Sequence, residues 1–365
     1  MKLQKSFPNE FNALFIILFL LLFIGLAGQY SASGGKFEGQ TLRHLIKTGI
    51  GLVLLGCVYM TDSKFWSSFA YLFYVAVLFF LIIADLSGIV RLGAQRWIDL
   101  YFFVFQPSEF MKLALILTLA RYYSMLSFFE TGELKHHLYP ILLVLLPFLL
   151  IIKQPDLGTA VLLLCVGVGM ILAAGFPLKI FVSFLISCLT ICPFGWFFLR
   201  DYQKNRILTF LDPDRDPLGT GYHILQSKIA IGSGRVFGKG FLQGTQGSLN
   251  FLPEKNTDFI FTTLSEEFGF VGSVSILLLF AGLCGCFLWG AFAAKNKFSR
   301  LVCCGLGILV FAHVFVNVSM VTGILPVVGV PLPFLSYGGS SSSTFMISCG
   351  LLMSLTKKEN RGVIF

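Results

Sequence analysis

The chain has 365 residues, 56% of them hydrophobic and only 12% charged, against roughly 45–50% and 25% in soluble globular proteins, which excludes a string of soluble domains. A net charge of +9 spread over short loops between apolar runs, and not gathered on one face, speaks for membrane topology and against a nucleic-acid surface. The nine cysteines all fall inside apolar runs, so they behave as small hydrophobes and not as a disulfide framework, and no Cys/His spacing has the form of a zinc site.

The pattern predicts an all-α polytopic membrane protein. Apolar runs long enough to cross a hydrocarbon layer of roughly 30 Å as helices lie near 11–28, 44–60, 66–85, 107–123, 138–152, 158–174, 178–199, 269–293, 301–323 and 334–355. That makes about ten spans in a single membrane domain over 1–365, with one large extracytoplasmic loop, 200–256, between spans seven and eight. The first run has no A-x-A-like cleavage site after it and reads as a retained span, not a signal peptide. Between spans three and four, Arg91, Arg96 and Asp99 alternate with Ile89, Val90, Leu92, Trp97 and Ile98, which is read as a short amphipathic element like the helix expected over 222–231 in the large loop.

An even number of spans puts both termini on one side. The short loops on that side carry Lys2, Lys5, Lys64, Arg121, Lys135, Lys179, Lys295, Lys297, Arg300, Lys357, Lys358 and Arg361, against Lys36, Arg43, Arg91, Arg96 and Lys153 on the other. The positive-inside bias then makes the termini cytoplasmic and the large loop external.

Ionisable groups in or beside apolar spans are costly, about 2.5–3.5 kcal/mol each at a helix centre on insertion scales, so each is a functional candidate. In QPSEFMK (106–112), Glu109 and Lys112 share a helix face and can form a neutralising pair. In KQPDLGTA (153–160), Asp156 follows a proline at a helix start, where it fits an N-cap as well as a cavity-facing carboxylate. In SKIAIGSGRVFGKG (227–240), Lys228, Arg235 and Lys239 are interleaved with glycines. That composition suits a phosphate or pyrophosphate, and equally a tight turn touching anionic headgroups. In LPEKNTDFIF (252–261), Asp258 stands at a membrane edge with Glu254 four residues before it, and either a desolvated proton acceptor or helix initiation by Thr257 or Asp258 accounts for it. His313 and Asn317, one turn apart, read as interhelical hydrogen-bonding groups. The run YGGSSSS (337–343) opens the last span and permits close helix approach, and the aromatic faces near Phe334 and Phe345 are candidate docking surfaces.

Taken in order, GAQRWI (93–98), QPSEFMK, KQPDLGTA, FLDPDRDPLGTGYHILQSKIAIGSG (210–234), LPEKNTDFIFTTLSEEFG (252–269) and GILPVVGVPLPFLSYGGSS (323–341) resemble the SEDS family of bacterial cell-wall polymerases, and its elongation branch more than its division branch. The resemblance implies a peptidoglycan glycosyltransferase of the bacterial cytoplasmic (inner) membrane that polymerises lipid II, the undecaprenyl-pyrophosphate-linked disaccharide pentapeptide. It also implies work beside a class B penicillin-binding protein and the elongation machinery. It puts the family's essential aspartate on Asp258 and its other motif residues on Trp97, Glu109, Lys112 and Asp156. One departure is Asn250, where many relatives carry glutamate; a second carboxylate would then have to come from Glu254.

The chemistry needs a base for an attacking sugar hydroxyl and positive charge for a departing pyrophosphate. Asp258 suits the first role; Lys228, Arg235 or Lys112, with or without a divalent cation (Mg2+ or Mn2+), suits the second. A lipid II flippase and a non-catalytic scaffold for a penicillin-binding protein are the competing readings, but a flippase should string its charges through the midplane.

Overall fold

The computed structural model describes residues 7–37, 39–91, 94–99, 104–127, 129–195, 197, 199, 201–212, 220–245 and 254–357. Asn250, the start of the LPEKNTDF segment, part of the loop sequence after Leu211 and the terminal basic residues lie outside them.

Each predicted span contains a helix among the described residues. The first seven are α1 (Phe7–Ala32), α2 (Gln40–Tyr59), α3 (Ser63–Ser87), α4 (Pro107–Met125), α5 (Leu138–Lys153), α6 (Leu157–Ala173) and α7 (Leu178–Gly195). Two helices of the large loop follow, α8 (Asp201–Leu211) and α9 (Thr220–Ser233), and then α10 (Ile260–Ala293), α11 (Lys297–Val321) and α12 (Gly339–Thr356). Six of the described helical segments are long and apolar enough to cross a membrane unaided: Asn12–Ala32, Gln40–Tyr59, Ser63–Ser87, Leu134–Lys153, Ile260–Ala293 and Lys297–Val321.

Helices α4 and α12 do not meet that criterion, and their surroundings explain why. Helix α4 packs on α3, α5, α6, α11 and α12, and every residue from Pro107 to Ala120 except Phe110 is buried. Helix α12 packs chiefly on α2 and buries Ser348 through Thr356. A helix enclosed by other helices can carry Glu109, Lys112, Thr118 or a run of serines, because protein groups and not lipid satisfy them. Local chemistry sets the helix starts: Pro107 occupies the first turn of α4, Asp156 caps α6 by accepting from Thr159 N and Asn296 caps α11 by accepting from Ser299 N.

Three expectations change. Residues 89–99 are not a helix: β1 (Ile89–Arg91) pairs antiparallel with β2 (Ala94–Asp99), which pairs antiparallel with β3 (Val104–Phe105). The segment is short and its polar and apolar residues keep neither the helical nor the strand period throughout, so strand pairing and not periodicity defines it. The last span begins at Gly339 and not near 334, because Leu332–Ser336 forms a separate turn in which Ser336 N donates to Leu332 O (3.0 Å) and Phe334 has φ +64°. Phe334 and Phe345 are not docking surfaces: they are 1% and 0% exposed and pack on each other in the core, ring centroids 5.9 Å apart.

Helix α9 forms as expected over 222–231, with Ile224, Ser227 and Ala230 turned into the protein against α10 and α11, while Leu225 and Ile229 are exposed. Its polar Ser227 is the buried anchor, bonded to Thr262 Oγ1 (2.7 Å) and donating to Val321 O (2.7 Å).

Candidate active site

Asp258 lies in the turn 254–259 just before α10. It does not initiate that helix, since the N-cap is Phe259 and no side chain caps it. The turn closes on itself through Thr257 N and Phe259 N, both donating to Glu254 O (3.1 and 3.2 Å), and through Thr257 Oγ1 donating to Glu254 Oε2 (2.8 Å). Four other elements then hold it. Asn317 of α11 donates from Nδ2 to Asp258 O (2.9 Å) and Val330 O (2.7 Å). Gln29 of α1 donates to Asn256 O (2.7 Å) and Leu335 O (2.9 Å), Ser336 Oγ donates to Thr257 O (2.5 Å), and Asn256 Nδ2 donates to Gln40 of α2. These bonds use the backbone and neighbouring side chains and leave the Asp258 carboxylate for chemistry.

A second carboxylate arrives from the start of α6. Gly158 makes this possible: a Cβ there would sit 2.4 Å from Val328 O, so only glycine lets α6 begin against the 328–330 segment. That same segment runs past Asp258, whose Oδ2 would be 3.4 Å from a Cβ at Gly329. Asp156 accepts from Thr159 N (3.2 Å) and Thr159 Oγ1 (2.9 Å) and pairs with Arg96 of β2 at 3.5 Å. It is therefore a helix cap and a site-facing charge at once. Arg96 also donates to Pro155 O (3.0 Å), and its guanidinium stands 5.8 Å from the ring of Trp97.

These groups tune one another. Burial raises the Asp258 carboxyl most, the Glu254 and Asp156 carboxylates raise it further, and Arg96 opposes them, leaving it pushed up to about 7. A carboxylate poised there suits proton abstraction near neutral pH.

The polar chain on α4 continues this site inward. Lys112 Nζ donates to Glu109 Oε1 (2.7 Å) and is bonded to His313 Nε2 (2.8 Å), while His313 Nδ1 faces Pro331 O (3.3 Å). The sequence-predicted ion pair is thus a triad joining α4, α11 and the 323–338 segment, with Lys112 fully buried. That burial removes Lys112 from the candidates for touching a pyrophosphate.

The glycine-rich segment 227–240 does not gather its three cations. Lys228 lies on α9 against Gly323, beyond the end of α11. Arg235 and Lys239 belong to a strap laid across a break in α10 at Gly269. There Lys239 N and Gly240 N donate to Glu266 O and Glu267 O (both 3.0 Å), and Phe270 N and Val271 N donate to Arg235 O (2.9 Å) and Val236 O (3.1 Å). Lys239 Nζ pairs with Glu266 at 2.6 Å. The Lys239 and Gly240 N–H groups are thus committed to α10, and those of Gly234, Arg235 and Gly238 to Ala230 O, Gly232 O and Gly234 O, so none of these five is open to an anion. Among the described residues no group of three or more carboxylate, histidine or cysteine side chains converges as metal ligands, and Asp156 is already engaged by Thr159 and Arg96. Arg96 stands beside Asp156 in this site, and its place in GAQRWI (93–98) is the one signal in the sequence that marks it.

Comparison with known proteins gives a consistent picture. A family model described as cell cycle protein, FtsW/RodA/SpoVE, matches residues 11–361. The chain is 41% identical over 343 residues to peptidoglycan glycosyltransferase MrdB of Escherichia coli K12, covering 94% of this chain and 92% of that one. Among solved structures it is similar to a chain of a peptidoglycan synthase complex described as coordinating polymerization and crosslinking (TM-score 0.83, 28% identity, 95% and 98% covered). It is similar also to the rod shape determining protein RodA of Thermus thermophilus (TM-score 0.70, 25% identity, 94% and 95% covered).

Proposed function

This chain belongs to the FtsW/RodA/SpoVE family, and from that premise we propose how its site works as a peptidoglycan glycosyltransferase, a multi-pass protein of the bacterial inner membrane acting in cell elongation. The substrate is lipid II. The 4-hydroxyl of one lipid-linked disaccharide attacks the anomeric carbon of another; the bond from that carbon to the pyrophosphate oxygen breaks, and the pyrophosphate leaves with the bonding pair. Asp258 accepts the hydroxyl proton as that bond forms. The observation that carries this reading is a carboxylate raised to about 7, flanked by Glu254, Asp156 and Arg96, and left unused by the hydrogen bonds that fix its turn.

Arg96, held by Asp156 and Pro155 O beside the carboxylates, supplies fixed positive charge for the leaving group, with Lys228 at the end of α11 as a second candidate. Trp97 beside Arg96 gives a sugar face an apolar surface. Glu109 and Lys112 act through His313 on the segment that flanks Asp258 and do not touch substrate. The donor set does not present a metal site, and no step here is routed through Mg2+ or Mn2+. A class B penicillin-binding protein is the partner that would crosslink the strands, and the positive-inside bias puts Asp258 on the outer face with both termini in the cytoplasm.

The test is polymerisation of labelled lipid II by the purified protein together with a class B partner whose transpeptidase serine is inactivated. Wild type yields long glycan strands, and Asp258→Asn loses at least about 10²–10⁴-fold in rate while keeping its fold and partner binding. Strands from the variant at wild-type rate overturn the assignment, and lipid II crossing vesicle bilayers without polymerisation would support a flippase.

A further inference from the structure

At the opposite end of the helices from Asp258, a polar cavity of about 420 Å³ opens among α3, α4 and α11. Its lining is Ser63, Lys64, Ser67 and Ser68 of α3, Arg121 and Ser124 of α4, and Asn296, Lys297 and Phe298 at the start of α11. The distance from Asp258 follows from α4 itself, whose 19 residues separate the two ends by about 28 Å at 1.5 Å per residue.

The chemistry of this cavity is one-sided. Three cations and four serines line it, together with Asn296, and no carboxylate does. Among the described residues none of Lys64, Arg121 and Lys297 is in an ion pair. Two of them are held in place by neutral partners: Arg121 donates to Ser67 Oγ (2.8 Å) and Lys297 to Leu126 O (2.7 Å). The carboxylate that acts electrostatically on Lys297 is Glu130, which already accepts the Ser127 N–H at 2.7 Å. The amino-terminal ends of α3 and α11 both open here, adding partial positive charge; Asp62, before α3, makes no side-chain capping bond.

Positive charge gathered beside serine hydroxyls, with no carboxylate in the lining itself, is a donor set that attracts an anion. Apolar neighbours say which kind. Met60 after α2, Phe65 of α3 and Met125 of α4, each within a few residues of the lining in the chain, are 81%, 51% and 59% exposed and offer apolar surface for acyl chains at this end of the bundle. We propose that this cavity binds the phosphate headgroup of an anionic phospholipid of the leaflet opposite Asp258, with its acyl chains on that apolar surface. Basic pockets between membrane helices recognise such headgroups through charge and hydroxyl donors. The bound headgroup staples α3, α4 and α11, the last two of which carry Lys112, His313 and Asn317.

The experiment measures lipid retention by the full-length protein in neutral detergent by native mass spectrometry, with phosphatidylglycerol and phosphatidylcholine as probes and inorganic phosphate as competitor. Wild type is expected to bind phosphatidylglycerol at least tenfold more tightly than phosphatidylcholine. The double variant Lys64→Gln/Lys297→Gln is expected to lose about that factor. Ser68→Glu, which puts a carboxylate at an exposed lining position without removing a packed group, should lose it too. Equal binding of the two lipids, unchanged binding in both variants, or displacement of the lipid by millimolar phosphate alone would overturn the proposal, the last by assigning the cavity to a free anion.

Discussion

Asn317 makes two bonds, to Asp258 O and Val330 O, that no other side chain among the described residues is seen to make. It therefore fixes where the Asp258 carboxylate stands relative to the segment at Gly329, and it is a positioning residue. Asn317→Ala should reduce kcat by about 10–100-fold, the cost of losing one or two such bonds at roughly 1–3 kcal/mol, with KM for lipid II nearly unchanged; steady-state polymerisation kinetics measure the split. The buried pair behaves differently. Lys112→Met strands Glu109 as a buried charge and should destabilise the protein by about 3–5 kcal/mol, whereas the double variant Glu109→Gln/Lys112→Met should recover most of that; thermal unfolding in detergent of both variants tests the contrast. At this scale the sequence showed which residues are costly and which could pair: the Glu109–Lys112 spacing, the Asp156 cap and the His313–Asn317 turn were all readable from offsets of three and four. Their partners were not readable, because Lys112 meets His313 and Asn317 meets Asp258 across separations of 201 and 59 residues, and no local pattern encodes such contacts.

Elements were legible where a single period dominated and illegible where two competed. The ten spans followed from apolar length, whereas the β1–β2–β3 hairpin region was too short and too mixed for its period to stand out, and its strand character decides that Arg96 and Trp97 are presented beside Asp156. The strap 234–245 was visible as a glycine-rich basic stretch, but its role depends on a break in another helix. Gly269 has φ +65° inside α10, and a Cβ there would meet Gly238 N at 2.3 Å and Val236 O at 2.6 Å. Gly269→Ala should therefore dislodge the strap: strain of about 1–3 kcal/mol plus the clash should lower the midpoint of thermal unfolding and expose the strap to protease, while a substitution at Gly232, where a Cβ meets nothing within 4 Å, should leave both unchanged.

Across the whole molecule, the charged groups separate to two ends of one helical bundle. Asp258, Glu254, Asp156 and Arg96 collect where α4 and α6 begin and α11 ends, and Lys64, Arg121 and Lys297 collect where α3 and α11 begin and α4 ends. In a background with the native cysteines replaced, Arg235→Cys should be labelled by a membrane-impermeant reagent in intact cells and Lys64→Cys only after permeabilisation. Several elements assemble around the Asp258 carboxylate so that it takes a proton near neutral pH. The pH–rate profile of lipid II polymerisation by wild type and Glu254→Gln tests this most directly. Protonated Asp258 cannot act as a base, so the wild-type rate should climb about tenfold per pH unit below 7 and level off above it. Removing the like charge of Glu254 should lower the carboxyl's affinity for a proton and shift the rise to lower pH. A rate independent of pH between about 5.5 and 8.5, or a profile that Glu254→Gln leaves in place, would contradict this role for Asp258.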